Sequence, residues 1–374
     1  MDGDVWPPFY ELPFARTGKE FAWDGLSKYD LTKYNKFYWG RLKKYADLAD
    51  ENGLVLVHQN YFQHNIIEAG AHYADFPWRS ANNINNTGFP EPPPYAGDKR
   101  IFMAEQFYDI SNQHRRELHR LYIRQCLNNF KDNNGVIQLI GAEFTGPLHF
   151  VQFWLDMVME WEKETGKKEL IGLSATKDVQ DAILADPVRA AAVDIIDIRY
   201  WDYQEDSTTY SPLGGQNLAP RQHARLLKPK RSSFGQVYRA VSEYRTKYPD
   251  KAVMYSSENA DELGWAAFMA GGSLANIPKI GDPAFLSDAS AMKAVDMPGN
   301  GSSYMLEGAK GFIIYSNSKE ISLDLSKHAG NYRLRWIKAN SGELIGKETS
   351  VKGGKQTVIK KDADGPAVLW LTAK

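Results

Sequence analysis

Short apolar runs alternate with amphipathic segments over the first 285 residues of this chain of 374. A short apolar run between turn residues is typical of a strand that is buried on both faces of a parallel sheet. Six such runs are present, and they begin at residues 54, 136, 170, 193, 252 and 273. The regular alternation of strands with helices predicts a parallel sheet that is covered by helices on the outside.

The segments between these strands have apolar residues at helical spacing, which predicts a helix in each. The predicted helices cover residues 38–52, 101–130, 149–165, 179–192 (with a break at Pro187), 234–248 and 261–271. Residues 1–30 have no clear periodicity and are predicted to be irregular. Two long loops, 59–100 and 201–233, are rich in aromatic residues. Because long loops in compact domains are usually functional, the first is predicted to be a lid on the substrate side.

A closed (β/α)8 barrel needs eight strands, and six are predicted here. We therefore expect a TIM-type barrel that lacks its first two strands in this chain, as in an N-terminally truncated barrel. A doubly wound open sheet is the alternative. The sequence has no glycine-rich phosphate-binding loop that would favour this alternative.

The pattern changes after residue 285 to short alternating runs that are separated by Gly, Asn, Ser and Asp turns. This spacing predicts a small antiparallel β-sandwich. The runs lie at residues 311–316, 320–325, 332–337, 356–359 and 367–371. The predicted domains are therefore a barrel over residues 1–285 and a sandwich over residues 286–374.

Composition excludes several classes of function. The net charge is −1 without a charge block, which argues against nucleic acid or an anionic membrane as a partner. No apolar stretch approaches the roughly 18 residues that span a membrane, so no membrane insertion is expected. The single cysteine, Cys126, excludes an intramolecular disulfide and is predicted to be buried. Aromatic residues make up 13% of the chain, and their faces suit sugar rings, although core packing accounts for most of them.

Two of the predicted strands end on a glutamate. Glu143 follows the run that begins at residue 136, and Glu258 follows the run that begins at residue 252. The hydroxyls of Ser256 and Ser257, together with Asn259, are candidate donors to Glu258. Parallel α/β folds keep their chemistry at the carboxyl ends of the strands. A pair of carboxyl groups at that edge predicts acid/base catalysis of the hydrolysis of a glycosidic bond. The alternative for each glutamate alone is a surface residue or an ion-pair partner.

Other residues at strand ends and on the long loops are predicted to contact a substrate. Those expected to form hydrogen bonds are His58, Asn60, His64, Arg199, Tyr200 and Asn259, and those expected to stack on sugar rings are Trp78, Trp201 and Tyr203. The alternatives are satisfied structural histidines and core packing. No His or Asp cluster has the spacing of metal ligands, so neither a metal nor another cofactor is expected.

Four stretches of the chain resemble bacterial (β/α)8-barrel glycoside hydrolases. They are KYNKFYWGRLKKYADLADENGLVLVH, VIQLIGAEF, VMYSSENADELGWAAFMAGGS and the tail that begins GFIIYSNSKEISLDL. The apiosidase-like family, whose barrel is followed by a β-sandwich of the collagen-binding type, is the most similar that we can name. The resemblance covers most of the chain, from about residue 30 to its end.

The resemblance implies a retaining glycoside hydrolase, with Glu143 as acid/base after the fourth barrel strand and Glu258 as nucleophile after the seventh. It implies an oligosaccharide or polysaccharide from a complex plant or host glycan as substrate, and a periplasmic or extracellular location, although this chain carries no signal peptide. Apiosidase-like members tend to carry Gly-Gly-Asp at the fourth strand, where this chain has Gly141-Ala142-Glu143, so the sugar and linkage stay open. The oligomeric state is open too. A non-catalytic carbohydrate-binding protein on a degenerate barrel is the alternative function.

Overall fold

The structure, a computed structural model, describes residues 12–62, 73–91, 99–257, 260–297, 303–361 and 364–374, without the side chains of residues 62, 99–102 and 142. Three predicted site residues, His64, Glu258 and Asn259, lie outside the described residues. Contacts divide the chain into two compact units. The first comprises Met1–Ile196 and Ser211–Pro229, and the second comprises Asp197–Tyr210 and Lys230–Lys374. This division differs from the predicted domain boundary at residue 285, which stays a prediction.

The first unit contains the strands and helices that precede residue 197, together with one later helix. Its strands are β1 (Phe14–Arg16), β2 (Tyr29–Tyr34), β3 (Leu56–Phe62), β4 (Val136–Ala142), β5 (Leu170–Ser174) and the start of β6 (Ile195–Ile198). Its helices are α1 (Lys36–Glu51), α2 (Lys99–Tyr108), α3 (Gln113–Phe130), α4 (Leu148–Thr165), α5 (Lys177–Ala185), α6 (Pro187–Ala190) and α7 (Pro220–Leu227), with a 3-10 turn at Ser80–Asn82.

The second unit contains the remaining elements. Its strands after β6 are β7 (Asp202–Tyr203), β8 (Thr209–Tyr210), β9 (Ala252–Tyr255), β10 (Lys293–Val295), β11 (Ser303–Gly308), β12 (Gly311–Ser316), β13 (Glu320–Asp324), β14 (Asn331–Lys338), β15 (Leu344–Lys352), β16 (Gln356–Lys360) and β17 (Ala367–Ala373). Its helices are α8 (Phe234–Lys247), α9 (Gly264–Met269) and α10 (Ala284–Ser290).

The architecture is mixed α/β, with a five-stranded sheet in the order β3-β4-β5-β6-β9. Strand β3 runs parallel to β4, and β4 runs parallel to β5. The predicted parallel sheet is therefore confirmed for these strands. Because this sheet has five strands over the described part of the chain, a complete eight-stranded barrel is not confirmed.

A separate antiparallel sheet in the order β10-β11-β12-β17-β14-β15 forms the centre of the second unit. Successive side chains of a strand point to opposite faces. On β12, Phe312 and Ile314 enter a core with Ile321 and other residues of the β13–β16 pair. Ile313 of the same strand enters a second core, with Trp265 and its neighbours on α9 and α10. This sheet is therefore covered on both faces, which explains why β12 is a continuous apolar run.

Four predicted segments differ in the structure. The run at 273–277 forms no strand, because Leu274 adopts a left-handed backbone with φ of 51° and Pro278 closes the segment. The predicted helix over 101–130 is two helices, since Asn112 accepts a hydrogen bond from the Arg115 amide and caps a new start. The loop over 201–233 contains β7, β8 and α7, and the irregular start contains the antiparallel pair of β1 and β2.

Two glycine-to-alanine substitutions are expected to change stability in opposite directions. A Cβ at Gly264 would lie 1.7 Å from the Asn276 carbonyl oxygen, so Gly264→Ala should lower the free energy of unfolding by about 3 kcal/mol or more. A Cβ at Gly40, inside α1, would meet nothing within 4 Å. Gly40→Ala should therefore raise the free energy of unfolding by about 0.5–1 kcal/mol, because alanine is the better helix former. Urea denaturation of both variants measures these changes, and a stable Gly264→Ala variant would contradict the packing described for α9.

Candidate functional site

Glu143 lies in the turn that directly follows β4, at the carboxyl edge of the parallel sheet. Its backbone φ of 49° is in the left-handed region, which residues other than glycine rarely adopt. Strained conformations of this kind cluster at functional sites. The next residue, Phe144, is buried against the rings of Tyr108 and Phe150. The turn thus holds a carboxyl group at the sheet edge, beside an apolar anchor.

A segment of the second long loop covers the turns after β4 and β5. The hydroxyl of buried Thr145 donates to the Leu218 carbonyl oxygen at 2.5 Å, and the Gly215 amide donates to the Thr145 carbonyl oxygen at 2.9 Å. The Gly214 amide donates to the Asp178 carboxylate at 3.1 Å. These bonds hold residues 214–218 against Thr145 and Asp178. Thr145 is two residues after Glu143, the candidate acid. The composition of the loop gave no signal for this anchoring.

In the second unit, β9 leads towards Glu258 and is tied to the end of β6. The hydroxyl of Ser256 donates to Asp197 Oδ1 at 2.5 Å, and the amide of Ser256 donates to the Ile198 carbonyl oxygen at 3.0 Å. Asp197 is buried. The sequence favoured the hydroxyls of Ser256 and Ser257, together with Asn259, as donors to Glu258. In the structure the Ser256 hydroxyl proton is used for Asp197, and the rest of that expectation stays a prediction.

His58 and Asn60 are buried in a polar network with Gln138 of the neighbouring strand. His58 Nδ1 lies 2.8 Å from Gln138 Oε1, and the Asn60 amide nitrogen donates to the same oxygen at 2.9 Å. The Trp154 indole donates to Asn60 Oδ1 at 2.8 Å. Burial lowers the pKa of His58 to about 4, so the ring is neutral near pH 7. The structure favours the alternative of a satisfied structural histidine.

Gln138 is the member of this network that the sequence reasoning missed. It is fully buried in the middle of the apolar run of β4, in register with His58. A buried polar side chain needs hydrogen-bond partners, so a glutamine inside such a run is itself a signal of an internal network.

A comparison of Asn60 with Asn128 tests whether Asn60 has a structural role. Asn60 Oδ1 accepts from the Trp154 indole, and Asn128 Oδ1 accepts from the Trp161 indole at 2.7 Å, but Asn128 is exposed. Asn60→Ala should lower the free energy of unfolding by about 2–4 kcal/mol, because several buried groups lose their partner. Asn128→Ala should cost less than about 1 kcal/mol, because water replaces the lost group. Urea denaturation measures both; equal costs would contradict the structural role of Asn60.

The aromatic residues that the sequence assigned to sugar stacking are buried. Trp78 is 3% exposed and stacks on the His119 ring at 4.6 Å. Trp201 is 0% exposed, and the buried Tyr203 donates a hydrogen bond to Glu243. The structure favours core packing for all three, since no ring face is open to a sugar. Residues 73–91 of the expected lid likewise contribute buried side chains to the first unit.

The two remaining candidates lie together after β6. Tyr200 is buried, whereas Arg199 is half-buried with its guanidinium carbon 5.7 Å from the centre of the Tyr200 ring. Arg199 thus keeps a partly exposed cation that is suited to a polar substrate. In the described part of the chain, no group of three or more His, Cys, Asp or Glu side chains is arranged to hold a metal ion.

The comparisons with known proteins assign the chain to a family. A family model described as "Domain of unknown function (DUF6298)" matches residues 1–292. The chain belongs to this family. No curated protein matches the chain. Over the described residues, no helix is long and apolar enough to cross a membrane.

Solved structures with a similar fold are glycoside hydrolases. One glycoside hydrolase is 13% identical, with a TM-score of 0.50, over 90% of this chain and 89% of that chain. A glycoside hydrolase family 5 protein from Bacteroides vulgatus is 14% identical, with a TM-score of 0.50, over 90% of this chain and 86% of that chain. At these identities the likeness shows a glycoside hydrolase fold. It does not support the narrower resemblance to the apiosidase-like family or to the collagen-binding sandwich.

Proposed function

We propose that this protein is a retaining glycoside hydrolase in which Glu143 is the acid/base and Glu258 is the nucleophile. The observation that carries the proposal is the position of Glu143, in a left-handed turn at the carboxyl end of β4, within a glycoside hydrolase fold. Chemistry in parallel α/β folds takes place at this edge. The role of Glu258 is assigned from the sequence, in which this residue follows the apolar run that begins at residue 252.

The reaction proceeds in two steps that each invert the anomeric carbon. In the first, the Glu258 carboxylate attacks that carbon while the Glu143 carboxylic acid gives its proton to the leaving oxygen, so that a glycosyl–enzyme ester forms. In the second, Glu143 removes a proton from water, and the resulting hydroxide displaces Glu258. The sugar product has the same anomeric configuration as the substrate, and both glutamates return to their starting state.

The proposed substrate is an oligosaccharide or polysaccharide of a complex plant or host glycan, and the proposed location is periplasmic or extracellular. Residues 214–218 and the partly exposed Arg199 are the structural features that we assign to substrate contact. Incubation with a panel of plant and host glycans, followed by proton NMR of the first-formed reducing end, tests the reaction. Product with retained configuration is expected. Inverted product would overturn the nucleophile assignment, and glycan binding without any hydrolysis would favour the carbohydrate-binding alternative.

A further inference from the structure

A polar cavity of about 450 Å³ lies at the amino-terminal ends of β4 and β5. Val136 and Leu170, which begin these strands, form part of its wall. It is therefore at the opposite edge of the sheet from Glu143, and the proposed hydrolysis makes no use of it. Its polar lining consists of Asn133, Asn134, Glu162, Lys168, Glu169 and Asp194.

Two oxygen atoms of this lining are buried without a hydrogen-bond partner among the described residues: Asn133 Oδ1 and Glu169 Oε1. The Asn133 amide nitrogen donates to Asp47 at 2.9 Å and to Asp50 at 2.7 Å, which fixes the orientation of the amide. Glu169 is 5% exposed, and its other oxygen accepts from Gln138 at 3.4 Å. When Glu169 is ionised, both unpaired atoms are acceptors, and an unmet buried acceptor is costly. A group that donates hydrogen bonds in this cavity would satisfy both atoms.

The charges of the lining favour a cation in this place. It holds the carboxyl groups of Glu162, Glu169 and Asp194 against one ammonium group, that of Lys168. Lys168 is already paired with Glu162. Asp194 uses one oxygen to accept from the Ile171 amide at 2.8 Å. A negative charge on Glu169 therefore has no compensating cation in the described lining.

We propose that this cavity binds a small primary amine in its ammonium form, which donates hydrogen bonds to Glu169 Oε1 and Asn133 Oδ1. Hydrogen bonds between an ammonium group and a carboxylate are among the strongest in proteins. An ammonium group satisfies both acceptors and supplies the missing positive charge. A primary ammonium group has three N–H donors to offer to these acceptors, whereas a quaternary ammonium has no N–H to donate.

The protonation of Glu169 makes the binding dependent on pH. Burial raises the pKa of Glu169 to about 7, and the neighbouring charges of Glu162 and Asp132 add to this shift. The neutral acid predominates below that pH and the carboxylate predominates above it. Affinity for an ammonium ion should therefore rise as the pH increases from 5.5 to 8, with uptake of the cation coupled to release of a proton from Glu169.

Calorimetric titration with putrescine tests the proposal, with 1,4-butanediol as a neutral control of the same length. We expect the wild type to bind putrescine at pH 8, to bind it about thirtyfold more weakly at pH 5.5, and not to bind the diol. Glu169→Gln should weaken putrescine binding at least about tenfold, as expected for loss of a charge-assisted hydrogen bond. The exposed Glu117→Gln, which removes the same charge elsewhere on the first unit, should bind as the wild type does.

Two results would overturn the proposal: absence of putrescine binding by the wild type at pH 8, or equal binding by the Glu169→Gln and Glu117→Gln variants. The comparison of putrescine with the diol, and of the two pH values, needs only the wild type. The proposal therefore stays falsifiable even if the Glu169→Gln variant does not fold.

Discussion

Glu143→Gln should lower the turnover number about a thousandfold, because glutamine keeps the shape of the side chain but neither gives nor takes the catalytic proton. Glu258→Gln should lower it at least as much, since no glycosyl–enzyme ester can form. Glycan binding and the melting temperature should stay close to those of the wild type in both variants. Glu105→Gln and Glu262→Gln, which alter exposed glutamates elsewhere in the chain, should retain full activity.

Azide separates the roles of the two glutamates. In Glu143→Ala, azide attacks the anomeric carbon of the glycosyl–enzyme, releases the Glu258 carboxylate and gives a glycosyl azide of retained configuration. In Glu258→Ala, azide takes the place of the nucleophile and gives the inverted product. Kinetic assays with the four glutamine variants and NMR of the azide products measure these outcomes. Full activity of either Glu143→Gln or Glu258→Gln would contradict the assignment of that residue, and the reverse stereochemistry would exchange the two roles.

The contribution of Glu169 to the stability of the protein should fall as the pH rises from about 4.5 to above 7, and Glu169→Gln should abolish this contribution. The pKa of Glu169 is raised from 4.5 to about 7 in the folded state, chiefly by burial. The folded state therefore holds a proton that the unfolded state has already released in this interval. The contribution of Glu169 is fully present below pH 4.5 and is lost through pH 7, with a total change of about 3 kcal/mol in the free energy of unfolding.

Urea denaturation from pH 4.5 to 8.5 measures this change as the difference between the wild type and Glu169→Gln. Buried His58 and His119, whose pKa values burial lowers to about 4 and about 3, destabilise both proteins alike below pH 6.5. The difference between the two curves therefore isolates Glu169. Glu117→Gln should run parallel to the wild type. A difference that does not change with pH would show that Glu169 titrates normally and is not buried as described.

Local sequence patterns predicted most of the helices and strands of the fold. The amphipathic segments of α1, α4 and α8 and the apolar runs of β4, β5 and β9 lie where periodicity predicted them. The five predicted sandwich runs are all strands, because one face of each run or both faces are buried. Strand β15 was not predicted, because most of its residues are exposed and polar. Its place in the sheet depends on pairing with β14.

The sequence predicted fewer features of the candidate site than of the fold. The end of β4 identified Glu143, because a strand that is buried on both faces rarely accommodates a carboxylate except where the backbone leaves the sheet. Burial, however, depends on tertiary packing. The sequence around an aromatic residue on a long loop does not distinguish a side chain that faces a sugar from one that packs in the core. Trp78 and Trp201 were assigned to the substrate for this reason and are packed in the interior. Periodicity also gives no sign of the polar cavity beside Glu169, which arises from three separate segments of the first unit.

The separation between the carboxyl groups of Glu143 and Glu258, measured in a crystal structure, tests the central claim most directly. The retaining mechanism predicts about 5–5.5 Å between the two carboxyl groups across an open pocket. A separation of about 6.5–9.5 Å would indicate inversion through a bound water. Carboxyl groups that lie much further apart, or at opposite edges of the sheet, would contradict the catalytic account and favour a carbohydrate-binding protein.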